Sequence, residues 1–413
     1  MKEVHILGAG MVGISTAIWL QRAGFKVTII DQIGPAGGAS YGNAGVLAAG
    51  SVIPITTPAL PKNAFGMLLN KASPLFIRWP YLPKMIPFLA SYLKHCTTQH
   101  VEYYARSMIP LLRDTVAQHQ ALAHGTGAES FVAEHPYGFG YDRREAYEND
   151  QKWWDLRAQL GIQFDVITGS DYGAIDPLFA NQFDTVVLCH QHGRISDPGN
   201  YIRTLAHDFV EQGGRLRIGK ITELVHTTDG LGYRVDDQII SPEHLVVSTG
   251  AWSRDLVKTA GLTIPFETER GYHIELVHPS QEPVNSMMIA SGKFVITPLT
   301  DRIRAAGIVE FGGLELGENP EPIELLKTQV KALLPGVTFE RIDSWLGHRP
   351  APADSLPLIG QIPAIKNCWL GFGHQHVGLT GGAKTGRILS ELIQGRTVDI
   401  DMAPFNPGRF TKQ

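Results

Sequence analysis

What this sequence has little of narrows its chemistry first. Only three cysteines occur in 413 residues, Cys96, Cys189 and Cys368, far apart and without a CxxC pairing. That argues against a disulfide framework or a zinc knuckle and makes a reducing cytosol the default. Sixteen histidines are present, yet neither His190-Gln191-His192 nor His374-Gln375-His376 has the His-x3-His spacing that sets two ligands on one helix face, so no metal site is expected. Basic charge is also short. Lys and Arg number 36 against 40 Asp and Glu, a net charge of −4, with no basic stripe to displace counterions from a nucleic acid. No run of about 20 apolar residues is available to span a bilayer. The opening Met1-Lys2-Glu3 leads into an apolar run too short for a signal peptide, so none is expected and a cytoplasmic setting follows.

What is there suits a well-packed enzyme. Hydrophobic residues make up 43% and charged residues 18%, and the length fits two lobes, or one nucleotide lobe interrupted by insertions. Residues 4–7 predict a short buried strand. Gly8-Ala9-Gly10-Met11-Val12-Gly13 follows, then a helix over residues 11–23 stopped by Gly24, and a second strand over 26–30 ending at Asp31 and Gln32. Gly8 permits the tight turn, Gly10 lets backbone approach a pyrophosphate, and Gly13 lets the helix pack on the strand. The helix N-terminus offers unpaired N–H groups to phosphates. Asp31 lies eighteen positions after Gly13, where a carboxylate can accept from both ribose hydroxyls and would repel the ribose phosphate of NADP.

This unit alone does not separate FAD from NAD. An NAD domain should continue with further βα units. Residues 32–58 instead form a glycine-rich loop containing Gly42-Asn43-Ala44-Gly45, with little bulk to keep it from a flat ring. Later, Leu245-Val246-Val247-Ser248-Thr249-Gly250-Ala251-Trp252 is a strand breaking into a small-residue turn. Trp369-Leu370-Gly371-Phe372-Gly373 runs into His374-Gln375-His376-Val377-Gly378-Leu379-Thr380, and a helix is expected from about residue 382 to 394.

With these segments goes Trp345-Leu346-Gly347-His348-Arg349-Pro350, followed by Pro357-Leu358-Ile359-Gly360. Together and in this order, from Gly8 to about Asp401, they resemble the D-amino acid oxidase superfamily, and within it the bacterial D-amino acid dehydrogenases of the small-subunit type. The resemblance implies an α/β (α+β) fold. A discontinuous Rossmann-like FAD lobe would comprise residues 1–58, 193–258 and 351–400. A substrate lobe on a mostly antiparallel sheet would comprise 59–192 and 259–350, leaving 401–413 as a tail. Within these, 197–212 reads as a helix and 215–225 as paired short strands. Strands are further expected at 185–189, 272–277, 294–298 and 302–307.

The resemblance also implies the chemistry: the neutral amine passes a hydride to flavin N5, and the imino acid hydrolyses to a 2-oxo acid and ammonia. Arg349 is expected to grip the substrate carboxylate through its planar fork, held in extended backbone by Pro350. Tyr272 resembles a pocket tyrosine, with an ordinary sheet tyrosine as the alternative. His374 falls beside the flavin ring, while His376 replaces a residue that is small or hydroxylated in those relatives. FAD contacts are expected from the glycine turn, Asp31, Gln32, Asn43, Ala44, Gly45, Val225, Thr249, Gly250, Trp252 and the 373–380 segment. Residues 351–365 contain no cysteine and 32–58 no histidine, the attachment residues of covalent-flavin relatives, so FAD should be dissociable. Residues 64–93 interleave aromatics with Lys71, Arg78 and Lys84, which suits either a peripheral membrane contact near a quinone acceptor or two core helices. Three alternatives stay open: a D-proline or hydroxyproline dehydrogenase, a glycine- or sarcosine-type oxidase using oxygen, and a flavin subunit of a larger electron-transfer complex.

Overall fold

The computed structural model describes residues 2–61, 66, 74–228, 230–363 and 365–410. Two sheets organise the chain. In the first, Glu3–Leu7 lies between Lys26–Asp31 and His244–Val247, all parallel. Arg215–Ile218 extends one edge in parallel, and Cys368–Phe372 followed by antiparallel Leu358–Gln361 extends the other. The inner strands are continuous apolar runs because helices cover both faces. Val4, Ile6, Ile29, Leu245 and Leu370 are fully buried.

The Met11–Arg22 helix packs against Gly378–Ile393 at very short range. A β-carbon on Gly386 would lie 2.2 Å from Ser15 Oγ and 2.5 Å from the backbone nitrogen of Thr16. The Pro198–Glu211 helix starts at Asp197, whose side chain accepts from Asn200 N, as its sequence leads one to expect.

The second sheet is larger and mainly antiparallel. Its order is Arg341–Pro352, Phe266–Val277, Arg302–Phe311, Phe294–Leu299, Ser286–Ile289, Tyr137–Tyr141, Thr185–Cys189, Phe164–Thr168. Two pairings are parallel, Ser286–Ile289 with Tyr137–Tyr141 and Arg302–Phe311 with Leu75–Ile77. The mixed α/β class and the mostly antiparallel second sheet agree with the sequence. Strands expected at 185–189, 272–277, 294–298 and 302–307 are present, the last three longer than expected.

Two local readings need correction. Residues 215–225 do not pair with each other: Arg215–Ile218 joins the first sheet, and Ile221–Thr227 pairs antiparallel with Gly230–Val235. The two residues between them look like a hairpin loop in sequence, but Gly219 N donates to Asp31 O and the chain crosses from one sheet to another. The C-terminal helix begins at Gly378, four residues early. Its glycines signal a loop, but they are buried in helix contacts. Of the 64–93 stretch, residues 64, 65 and 67–73 lie outside the described residues. The rest contains Leu75–Ile77 and the helix Leu82–Lys94, which buries Met85, Phe88 and Tyr92. Among the described residues, no helix is long and apolar enough to cross a membrane.

Candidate active site

An elongated cavity of about 1490 Å³ runs from the glycine turn of the first sheet to the face of the second. Ordinary ligand clefts occupy roughly 300–1,000 Å³, so this one has room for a dinucleotide and a further small molecule.

At one end stand Gly8, Gly10, Met11 and Val12. Gly8 has φ +108, and a β-carbon there would meet Ser248 O at 2.4 Å. Gly10 supplies no side-chain cap to the helix it precedes; Met11 N donates to Ser40 Oγ at 3.1 Å, and the helix start still faces the cavity where a phosphate could sit. Gly13 does not line the cavity. Its missing β-carbon would lie 2.0 Å from Gly8 O, so its place is helix-to-strand packing. Asp31 and Gln32 follow at the strand end. Asp31 accepts from Ala9 N through one oxygen and from Ile33 N and Gly34 N through the other, all at 2.8 Å. Those bonds fix the carboxylate at the rim. Its remaining lone pairs are fewer than a free carboxylate would offer to a ribose.

The glycine-rich loop forms the adjoining wall, including Asn43 and Ala44. It is anchored from the second sheet. Arg304 donates to Tyr41 O at 2.9 Å and to Asn43 O, and its charge is met by Glu275 at 2.6 Å. Gly42 is required by contact, since a β-carbon there would meet the Trp345 ring at 1.8 Å. Trp345 in turn stacks on His273, centroids 5.1 Å apart. Gly45 and Val225 lie outside the cavity wall. Gly45 has φ +81 and pairs with Ile195 through its carbonyl, while Val225 opposes Gly232 in the small sheet. The residues of that strand that do reach the cavity are Ile221 and Thr222. Thr249, Gly250 and Trp252 border it from the first sheet, with Trp252 edge-on to His348.

The Gly373-to-Thr380 segment closes the far side. Gly373 has φ +91 and Gln375 φ +47, a left-handed turn that aims His374 and His376 into the cavity wall. Thr385 gives its hydroxyl proton to Gly381 O, which leaves His374 Nε2 to donate to Thr385 Oγ1 at 2.9 Å. Val377, Gly378, Leu379 and Thr380 also line this side, and Thr380 accepts from Ala48 N. Burial pushes His374 and His376 down to about 4, the latter helped by the charge of Arg349. Both rings are therefore neutral near pH 7.

Strand register decides what faces the cavity from the second sheet. Glu269, Gly271 and His273 lie directly opposite Arg349, Gly347 and Trp345, so these six share one face. Arg349 is half-buried and extends across Gly271, where a β-carbon would come within 2.5 Å of its Cζ. Its Nη2 donates to Gly307 O at 3.2 Å. That carbonyl is turned by a bulge at Ile308, a β-branched residue at φ +38. Tyr272 belongs to the opposite face. Although it borders the cavity, its hydroxyl donates to Glu310 at 2.8 Å and accepts from Asn319 N, and its ring packs in the sheet's apolar core. Tyr272 thus borders the cavity while its hydroxyl is held on the other face, in keeping with the sheet-tyrosine alternative.

Sequence reasoning passed over Glu269. It is 1% exposed, and among the described residues neither carboxylate oxygen has a hydrogen-bond partner. Burial pushes its pKa up to about 7 against the pull of Arg349.

The FAD-dependent oxidoreductase family model, DAO, matches residues 3–392. The chain belongs to this family. A D-amino-acid oxidase of Bradyrhizobium diazoefficiens is 36% identical over 99% of both chains. A D-amino acid dehydrogenase of Rhizobium rhizogenes is 29% identical over 99% of this chain and 100% of that one. The fold matches glycine oxidase from Geobacillus kaustophilus with a TM-score of 0.77 at 18% identity, covering both chains fully. As a member of the DAO family, the chain is an FAD-dependent oxidoreductase. Its own residues fit FAD: a helix start at a glycine turn that faces the cavity, a cradle at Gly8 and Gly10, and a small-residue wall where a flat ring could pass. None of Cys96, Cys189 and Cys368 lines the cavity.

Proposed function

We propose that this chain oxidises the C–N bond of D-amino acids and passes the electrons to an acceptor other than oxygen. The observation that carries the reading is Arg349. Its guanidinium is half-buried on the cavity face, and among the described residues its hydrogen bond to protein goes to one carbonyl, with no carboxylate in ion-pair contact. An arginine partly withdrawn from water without an anion is costly, as the lowering of its pKa by burial reflects, and a substrate carboxylate would relieve that cost. The names of the two full-length relatives support the amino acid class.

FAD, when bound, accepts the hydride and so carries the redox step. The protein's part is to orient the substrate. The planar fork of Arg349 would hold the carboxylate by two parallel bonds, fixing the α-carbon in one position. Neutral His374 and His376 add no competing positive charge beside it. The imino acid released into water hydrolyses to a 2-oxo acid and ammonia. A membrane quinone is the proposed acceptor, with Trp79 and Ile86, exposed at 60% and 58%, as the apolar side chains that would meet a bilayer surface. Oxygen is the second reading, favoured by the name of the 36% identical oxidase.

Variants at Arg349 test the carboxylate site. Arg349→Lys should fail nearly as badly as Arg349→Ala, because lysine keeps the charge and loses the fork. Either change should lower kcat/KM by roughly 30- to several-thousand-fold. FAD content should stay at the parent level. Turnover of Arg349→Ala near the parent rate would show that the carboxylate binds elsewhere.

A further inference from the structure

The second sheet buries several carboxylates, and all but one have partners. Glu310 pairs with Arg270, Glu275 with Arg304 and Arg302, and Glu267 accepts from Tyr81 near Arg254. Glu269 has none among the described residues, though it lies directly opposite Arg349 in the strand pairing and borders the same cavity. Directly opposed side chains start only about 5 Å apart, so opposite charges would ordinarily close on each other. These two do not. Arg349 turns along the sheet over Gly271 to the Gly307 carbonyl. A positive fork and a negative carboxylate are thus held apart across the cavity wall. What would satisfy both at once is a molecule carrying an anion and a cation about one carbon apart.

We infer that Glu269 binds the substrate's α-ammonium group and takes its proton before oxidation. The inference rests on the amino acid reading above. In this step one N–H bond of the ammonium breaks and an O–H bond forms on Glu269. The neutral amine keeps the lone pair, which becomes the second bond of the C=N group as hydride leaves the α-carbon for FAD. When the imino acid departs, Glu269 returns its proton to water. A neutral amine is needed for that electron flow, so a proton acceptor in contact with the ammonium contributes directly.

The groups around Glu269 leave it as the one that titrates near neutrality. Arg349 faces it from Arg341–Pro352, Tyr92 from Leu82–Lys94 and Tyr104 from Thr98–Leu112, with Cys96 beyond Tyr92 and His376 beyond Arg349. Burial raises both phenols and the Cys96 thiol, and His376 lies at about 4. Glu269 lies at about 7, so it is half ionised where amino acids are still ammonium ions.

The test uses the FAD-loaded enzyme and its Glu269→Gln and Glu269→Asp variants. For the parent, kcat/KM should rise with pH through a group near 7. Glu269→Gln should lose that limb and fall roughly 100-fold or more. Glu269→Asp should keep the limb at reduced rate. A second readout needs no turnover. Cyclohexanecarboxylate has the anion without the ammonium, and its binding can be followed by the flavin absorbance. The parent should bind it more weakly as pH rises past Glu269's ionisation, whereas Glu269→Gln should bind it tightly at every pH. FAD content and melting temperature show whether each variant is folded. A Glu269→Gln enzyme with parent-like rate and pH limb would overturn the inference, as would probe binding to the parent that ignores pH. If the parent oxidises no amino acid at all, the substrate reading fails first. If it does and Glu269→Gln matches it, only the Glu269 assignment fails.

Discussion

Single side chains hold this site at the limit of available space. Gly42 has no room for a β-carbon against Trp345, and Trp345 is fixed by its stack on His273. Gly42→Ala should therefore push the loop that walls the cavity, costing about 1–3 kcal/mol of stability. Its FAD affinity should drop as well. Urea unfolding and a flavin titration measure the two effects. Glu269 makes a prediction of the opposite sign. Its carboxyl is easier to protonate folded than unfolded, so it favours the fold at low pH and loses that contribution as pH rises through about 7. Glu269→Gln should melt above the parent at pH well over 7, and the gap should close near the ordinary glutamate pKa. A gap that is constant with pH would contradict the burial of this group. The sequence could not mark it. Phe266–Val277 carries Glu267, Glu269 and Glu275, and only the fold shows which two have partners. The two roles open to Tyr272 could not be separated for a related reason: a strand has two faces, and only the register with Arg349 tells which one a residue takes.

Elements were legible where local pattern and tertiary role agree. The first strand, glycine turn, helix and second strand appear as read, because a parallel inner strand is apolar throughout and glycine turns have few other uses. Reading failed where glycine serves packing rather than turning. Gly381, Gly382 and Gly386 sit inside the C-terminal helix, where glycine is intrinsically poor. The Met11–Arg22 helix comes too close for a β-carbon at Gly382 and Gly386, and the Leu111–Leu112 side chains press on Gly381. Ser15 Oγ also donates to Ala383 O across this contact. Gly386→Leu should therefore destabilise the chain by more than about 3 kcal/mol, since the obstacle includes backbone that cannot rotate away. Circular dichroism during urea titration would measure it. The gain of up to about 1 kcal/mol expected for replacing glycine in an exposed helix would instead mean that the two helices are not packed this tightly.

At the scale of the whole molecule, two sheets built from interleaved stretches of chain enclose one cavity between them. FAD should be held there without a covalent bond, because no cysteine lines the wall and residues 32–58 contain no histidine. Acid precipitation should leave yellow colour in the supernatant, and colour retained in the pellet would show an attachment the side chains do not suggest. The family and its cofactor were readable from ordered motifs spread over most of the chain. Side-chain preference was not, because the cavity wall is assembled from segments far apart in sequence. The central claim is tested by dye reduction with purified FAD-loaded enzyme against both enantiomers of the amino acids, proline and hydroxyproline included, with peroxide measured in parallel. The account predicts reduction by D-amino acids, none by the matching carboxylate-free amines, and little peroxide in air. Reduction by amines as readily as by amino acids, or by no amino acid of either hand, would contradict it.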